Sequence, residues 1–356
     1  QGSGAPFRAS CAAASESGLI VVSDFDAEKY LHAFVAPYGA ALDTSVSPGL
    51  QAVPPSASWL RLWRSRIRAG DLKSADILAI SRDGRFIAAA ADSSAQWIWL
   101  CSVDEYGKIV STSYLTGAES SGLESFKCVK ALCFSPSGDR LYAACSSSNK
   151  VYAFDTGAGS LEYLYSKELK TGDDASLPPA DMVITASGLI AVSAPSDSKI
   201  FIMQDQAGLE ILECLESGEE NMDLYKPEAL AASSLGDAFY ALCNRESVVR
   251  FSMSGAVSTY VQDSLIDLSA DSAGATRIAA GSAGSGSSDT ILVGGGDCLE
   301  FLEIAADGSG IESQLVYPVG SDALGFGSLT SISYCRGAFL IAGGDSCTVT
   351  VFGNDM

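Results

Sequence analysis

The chain has 356 residues, with 43 Asp and Glu against 22 Lys and Arg, a formal charge of −21 with its one histidine neutral. Counterion release on phosphates needs a dominant basic surface, so this balance excludes a general nucleic-acid binder. Intrinsic disorder is excluded as well, because 47% apolar and 18% charged residues supply a core.

No run approaches the eighteen or so apolar residues that cross a bilayer, which predicts a chain without a membrane span. The start has no basic segment leading into an apolar one, so no secretion signal is expected and the cytoplasm or nucleus is the expected location. Ten cysteines are scattered through apolar runs and never form a CxxC pair. They read as buried thiols in a reducing compartment.

Along the chain one unit recurs: an apolar run, a short turn with Gly, a second run rich in Ala and Val, a polar turn, and a third run with an aromatic. Its clearest copy is 129–159, VKALCFSPSGDRLYAACSSSNKVYAFDTGAG. The turn glycines are Gly18, Gly84, Gly138, Gly188, Gly236, Gly286 and Gly337, spaced by 66, 54, 50, 48, 50 and 51 residues. A second marker follows each by 15 or 16 positions: Phe34, Trp99, Phe154, Met203, Phe251, Phe301 and Phe352. In the sixth copy Gly286 is preferred to Gly274, because it restores both spacings and leaves 276–283 as the preceding strand.

Runs of four to eight residues rich in Val, Ile, Ala and aromatics, bounded by Gly, Ser, Asn and Asp, are strands rather than helices. A more polar fourth strand follows in most copies, as in 160–168 and 209–216. Seven units of four antiparallel strands bury their faces by packing radially, which predicts an all-β, seven-bladed β-propeller filling 1–356 as a single domain. The last copy ends near Phe352, so the outer strand of its blade has no obvious source. Residues 5–9, a segment beyond this sequence and a strand from a partner are the candidates.

The unit resembles the WD-repeat family across the whole chain, most closely at Phe154-Asp155, which stands where that family places its Trp-Asp dipeptide. The chain departs from the family in having no Trp-Asp dipeptide, no Gly-His dipeptide and, with His32 alone, no His-Asp network. The strand pattern also resembles lactonase-like propellers, which keeps a propeller enzyme as an alternative. A further alternative is a WD-repeat partner subunit of a tRNA methyltransferase. The WD-repeat resemblance implies a non-catalytic scaffold or recognition subunit whose partner is another protein.

The register places the loops between second and third strands on the same face as the loops between blades. The first set carries Asp24, Asp26, Glu28, Asp92, Asp197, Glu246, Asp297 and Asp345; the second carries Glu119, Glu124, Asp173, Asp174, Glu219, Glu220, Asp223, Asp263 and Asp322. Bases there are fewer, so the face is expected to be negative and to steer a basic segment of a partner.

The one long excursion, 37–74, contains SWLRLWRSRIRAGDLK. Trp59, Arg61, Trp63, Arg64, Arg66 and Arg68 are residue types that anchor interfaces, and 59–73 is the one place where local nucleic-acid contact is expected. As a strand it puts Arg64, Arg66 and Arg68 on one side; as a helix it groups Trp59, Trp63 and Ile67. It also reads as the outer strand of the first blade.

Chemistry is not indicated. His32 sits in a strand pattern without a nucleophile and orienting acid, the GDSC at 344–347 falls in a polar turn, and Cys128 and Cys133 have no second pair at metal-ligand spacing. GSAGSGSS at 281–288 runs from strand to strand and lacks the Lys-Ser or Lys-Thr of a phosphate loop. No cofactor, metal or catalytic residue is assigned.

Overall fold

The structure is a computed structural model, and it describes residues 9–15, 19–24, 30–35, 65–68, 75–92, 96–104, 108–117, 122–123, 125–218, 223–234, 236–253, 259–272, 274–282, 288–295, 298–305, 310–318, 329–335, 338–343 and 348–353. These form 27 strands in seven antiparallel sheets.

Blade 1 comprises β1 (Ala9–Ala14), β2 (Leu19–Asp24), β3 (Tyr30–Val35) and β4 (Ser65–Arg68). Blade 2 comprises β5 (Ile77–Ile80), β6 (Phe86–Ala90), β7 (Trp97–Val103) and β8 (Ile109–Thr116). Blade 3 follows with β9 (Val129–Phe134), β10 (Arg140–Cys145), β11 (Lys150–Asp155) and β12 (Glu162–Glu168). In blade 4 these are β13 (Asp181–Ile184), β14 (Ile190–Ala194), β15 (Lys199–Asp205) and β16 (Leu209–Glu216). Blade 5 has β17 (Pro227–Ala232), β18 (Ala238–Cys243), β19 (Ser247–Met253) and β20 (Tyr260–Asp267). Blade 6 has β21 (Arg277–Ser282), β22 (Asp289–Gly295), β23 (Cys298–Ile304) and β24 (Ile311–Pro318). Blade 7 has β25 (Leu329–Cys335), β26 (Ala338–Gly343) and β27 (Thr348–Gly353).

Within each blade the strands pair in chain order. The first strands β1, β5, β9, β13, β17, β21 and β25 touch in succession, and β25 returns to β1, so they form a closed inner ring. Six blades show four strands, and blade 7 shows three among the described residues. Residues 1–8 and 354–356 lie outside the described set.

The repeat markers sit where the spacing put them. The seven aromatic or apolar markers all fall in third strands, and Phe154, Met203, Phe251 and Phe301 are buried. The described anchor glycines lie in the turns from first to second strand. Gly84, Gly138 and Gly188 have φ of +75°, +76° and +88°, the left-handed region that glycine enters without a Cβ penalty. Their N–H groups close the turns on the carbonyls of Ser81, Ser135 and Thr185 at 2.8, 2.9 and 3.0 Å. In two of these turns the serine hydroxyl also accepts the N–H that starts the next strand, from Phe86 at 2.9 Å and Arg140 at 3.1 Å. Gly18, Gly286 and Gly337 lie outside the described residues.

The core is divided rather than central. Seven apolar clusters of described residues each sit between two consecutive blades, from the Phe126, Tyr152 and Phe154 cluster of blades 2 and 3 to the Ala12, Val22 and Ala342 cluster joining blades 7 and 1. Polar links lock the same seams. Ser331 in blade 7 donates to the carbonyl of Ala12 in blade 1 at 2.8 Å and accepts its N–H at 3.2 Å. Asp205 in blade 4 accepts the phenols of Tyr142 and Tyr165 in blade 3. The buried Asp289 in blade 6 accepts Ser233, Ser234 and Tyr240 from blade 5.

Between blades 6 and 7 the ring of Tyr334 occupies the space a side chain at 281 would need. A Cβ on Gly281 would stand 2.2 Å from that ring. Gly281→Ala is therefore expected to destabilise the fold by about 1–3 kcal/mol through overpacking, read as a lower urea midpoint, and Gly281→Ala/Tyr334→Ala should recover part of that loss. Removal of the Asp289 carboxylate leaves three hydroxyl donors without their shared acceptor. Asp289→Ala is expected to cost at least about 2 kcal/mol in the same unfolding measurement.

Candidate functional site

Alternation of strand direction sends loops of two kinds to one end of the ring: those joining second to third strands and those joining one blade to the next. The two sets are tied together. Ser147 Oγ donates to the carbonyl of Lys127 at 2.8 Å, the Asn244 N–H to that of Lys226 at 3.1 Å, and the Lys226 N–H to Ser198 Oγ at 3.2 Å. The shared loop face read from the register is thus present.

Of the expected binding residues, Asp173 and Asp174 lie in the turn between β12 and β13 and are exposed. Asp174 leaves 92% of its side chain in solvent, with Lys170 Nζ 3.9 Å away. Asp223 is exposed ahead of β17, and its N–H donates to Gln262. Glu119, Glu124, Glu219, Glu220, Trp59, Arg61, Trp63 and Arg64 lie outside the described residues. Arg66 and Arg68 stand in β4, in register with His32 and Tyr30. At 65–68 the excursion is therefore the outer strand of blade 1, not a helix.

Several other acids of this face are in ion pairs, while the exposed Glu246 accepts the Asn244 side-chain amide at 3.1 Å. Asp92 meets Lys130 at 2.7 Å, Glu228 meets Arg245 at 2.6 Å, and Lys199 bridges Glu216 at 2.7 Å and Asp197 at 3.2 Å. Two acids read as loop residues are strand residues: Asp24 ends β2, and Asp263 lies within β20, where it pairs with Arg250.

A feature that the loop reading missed stands at the centre of this face. The inner strands start here, so Asp76, just ahead of β5, joins Lys130, Asp181, Glu228 and Arg277 around one mouth of the channel, one from each of blades 2 to 6. Asp181 Oδ1 accepts the Met182 N–H and Oδ2 the Leu230 N–H of the next blade, both at 2.8 Å. Part of its surface stays open, yet the ring walls it in. Desolvation pushes its carboxyl up to about 6, against the opposing pull of those two N–H groups and of the Arg277 charge. The only sequence signal was a charged residue near the start of several apolar first strands.

The other mouth is of different character. A cavity of about 410 Å³ there is lined by all seven blades, with Phe134, Ile184, Ile278 and Tyr334 among hydroxyls and alanines, and Arg82 as its one charged lining residue among the described residues. No group of three His, Cys, Asp or Glu able to hold a metal occurs among the described residues. Cys11, Cys101, Cys128, Cys133, Cys145, Cys214, Cys243 and Cys298 are free thiols. Burial pushes Cys101 and Cys243 up to about 12 and raises Cys133 and Cys145 as well, which keeps these sulfurs protonated and weakly nucleophilic.

The Asp181 carboxyl should titrate at about 6 in a carboxyl-carbon NMR titration, against about 3.9 in an unfolded chain. The folded state then holds the proton more tightly, so this group's contribution to stability falls as pH rises from about 4 to 6 and is level above that. Asp181→Asn should flatten that segment of the stability curve. A carboxyl titrating near 4 would contradict this assignment.

No protein-family model and no curated protein matches the sequence. Solved structures do match in shape. The chain is similar to the β-propeller domain of Myceliophteria thermophila Cps50 (Swd1), with TM-score 0.61 and 12% identity over 97% of this chain and 96% of that one. It is similar to the WD40 repeats of RRP9, with TM-score 0.62 and 12% identity over 99% and 96%. It is also similar to streptogramin B lyase, with TM-score 0.62 and 12% identity over 98% and 93%. At this identity the likeness is one of fold, and the fold is a seven-bladed β-propeller.

Proposed function

We propose that the chain is a non-catalytic scaffold or recognition subunit of an intracellular protein complex, which takes a basic segment of its partner on the loop face. One observation supports this reading: Asp173, Asp174, Asp223 and Glu246 are exposed on the loop face of a chain of charge −21, with only a distant Lys170 near Asp174 at 3.9 Å among the described residues. Exposed acids of one sign raise the local concentration of a basic ligand and speed its encounter. Glu119, Glu124, Glu219 and Glu220 belong to the same loops by sequence and are assigned to the same role. Trp59, Arg61, Trp63, Arg64, Arg66 and Arg68 are assigned to a second contact on the rim of blade 1.

The test is binding of a lysine- and arginine-rich peptide by the full chain at low and high salt. Asp173→Lys/Asp223→Lys, with Asp174→Asn because position 174 has φ +61° and Asn tolerates that region, is expected to weaken binding at least tenfold and to flatten its salt dependence. Unchanged affinity would remove the basic-segment reading.

A second reading, a propeller enzyme, is favoured by Asp181 and Arg277 at the channel mouth, where a carboxyl titrating at about 6 can exchange protons at working pH. It predicts an activity lost in Asp181→Asn and kept in the loop variants. The scaffold reading predicts the opposite pattern in binding.

A further inference from the structure

The cavity of about 410 Å³ at the turn end of the channel is walled by apolar side chains that stand at the seams between blades. Ile80 belongs to the seam of blades 1 and 2, Phe134 to that of blades 2 and 3, Ile184 to that of blades 3 and 4, Ile278 to that of blades 5 and 6, and Tyr334 to that of blades 6 and 7. Phe134 and Tyr334 are four seams apart in a ring of seven blades, so the two aromatic residues line the cavity from nearly opposite sides.

Polar groups reach the same space from the backbone. The N–H groups of Ser15, Ser81, Ser135, Thr185 and Ser233 donate outward, to carbonyls at the start of the second strands, at 2.9–3.0 Å. Consecutive residues of a strand present their N–H and C=O to opposite edges. Ala14, Ile80, Phe134, Ile184 and Ala232, one step earlier, therefore turn theirs to the inner edge, where no strand pairs among the described residues. All five line the cavity. The turn bonds fix these walls, and a preformed apolar pocket with a few placed polar groups is the usual form of a small-molecule site.

Charge selects the kind of molecule. The second residue of the turn from first to second strand lines the mouth in blades 2 to 5, where it is Arg82, Pro136, Ala186 and Ser234. In blade 1 that position is Glu16, outside the described residues. The described acids of these turns are held elsewhere: Asp83 accepts Ser81 Oγ at 2.7 Å and the Arg85 N–H at 3.0 Å, Asp139 accepts Ser135 Oγ at 2.9 Å, and Asp237 accepts the Ser187 N–H at 2.7 Å. None of the three lines the cavity, and Arg82 is its one charged lining residue among the described residues.

We propose that this mouth binds a small apolar monocarboxylate, its body within the ring of seam side chains and its carboxylate on the Arg82 guanidinium. An arginine fork matches a carboxylate and bonds it more strongly than a neutral acceptor. The inner-edge N–H groups of Ile80 in the same blade and Ala14 in the neighbouring one are further donors for its oxygens. The site lies at the end of the channel opposite the loop face, so the proposal is independent of what that face binds.

Isothermal titration calorimetry of the full chain with 2-naphthoate and its uncharged twin 2-naphthamide tests it, with thermal unfolding as the control for folding. The expected result is one bound equivalent of 2-naphthoate, with the amide about tenfold weaker. Arg82→Met should bring 2-naphthoate down to the affinity of the amide and leave the amide unchanged, and Arg82→Lys should recover part of the loss. Ala186→Trp fills the mouth from an exposed turn position and should abolish binding of both probes with an unchanged unfolding midpoint. If that midpoint falls, Pro136→Trp at the matching position of blade 3 takes its place. No binding into the millimolar range, equal affinity for the two probes, an affinity indifferent to Arg82→Met, or binding that survives the tryptophan would overturn the proposal. Asp173→Lys/Asp223→Lys should leave 2-naphthoate binding as it is; its loss there would move the site to the loop face and overturn the proposal too.

Discussion

The packing of each blade against both neighbours is the constraint on which everything else rests. A four-stranded sheet of this composition has two apolar faces, and neither can be buried within its own blade. Seven sheets bury fourteen faces only if the seventh meets the first. Ser331 and Ala12 lie at that meeting, and the small Ala12, Val22 and Ala342 cluster beside them is its apolar part. Alanine is abundant in the inner and second strands for the same reason: strands converge toward the axis, and the space for side chains shrinks with the radius.

Closure also explains why the two ends of the ring differ chemically. At one end the first strand turns straight into the second, and in blades 2, 3 and 4 the turn is held by a glycine in the left-handed region and a serine or threonine carbonyl. Little freedom remains there for binding residues, and the channel mouth at that end is lined by apolar and hydroxyl groups. At the other end the chain must cross between blades, the loops are longer, and side chains are free to carry charge. The acids of that face divide into those held by Lys130, Lys199 and Arg245 and those left in solvent. Only the second kind is available to a partner.

Carboxylates with hydroxyl donors make polar links across the seams. Asp289 with Ser233, Ser234 and Tyr240, and Asp205 with Tyr142 and Tyr165, join one blade to the next through short side chains and phenols. Burial and the nearby Asp289 carboxylate raise the Tyr240 phenol, so it stays a donor throughout the physiological range. A chain with one histidine can therefore still lock its blades by polar contacts.

The propeller, its seven blades and the third-strand markers were legible in the sequence because they follow from local rules: alternation, turn glycines and a repeat near fifty residues. Gly84, Gly138 and Gly188 announced their turns because their backbone conformation is a local property. Several features were not local, and the tertiary structure alone decided them. Whether Asp92 is free depends on Lys130 in the neighbouring blade. The position of Asp181 within reach of the charge of Arg277, which lies 96 residues further along, depends on ring closure. Asp263 read as a loop acid because nothing near it in sequence shows Arg250 across the strand pair. Sequence by itself determined which strands form and in what order, since hydrogen-bonding and side-chain periodicity act between near neighbours. The burial and pairing of individual charges were decided only by the closed ring, because desolvation and Coulomb forces act through space between segments the chain order keeps apart.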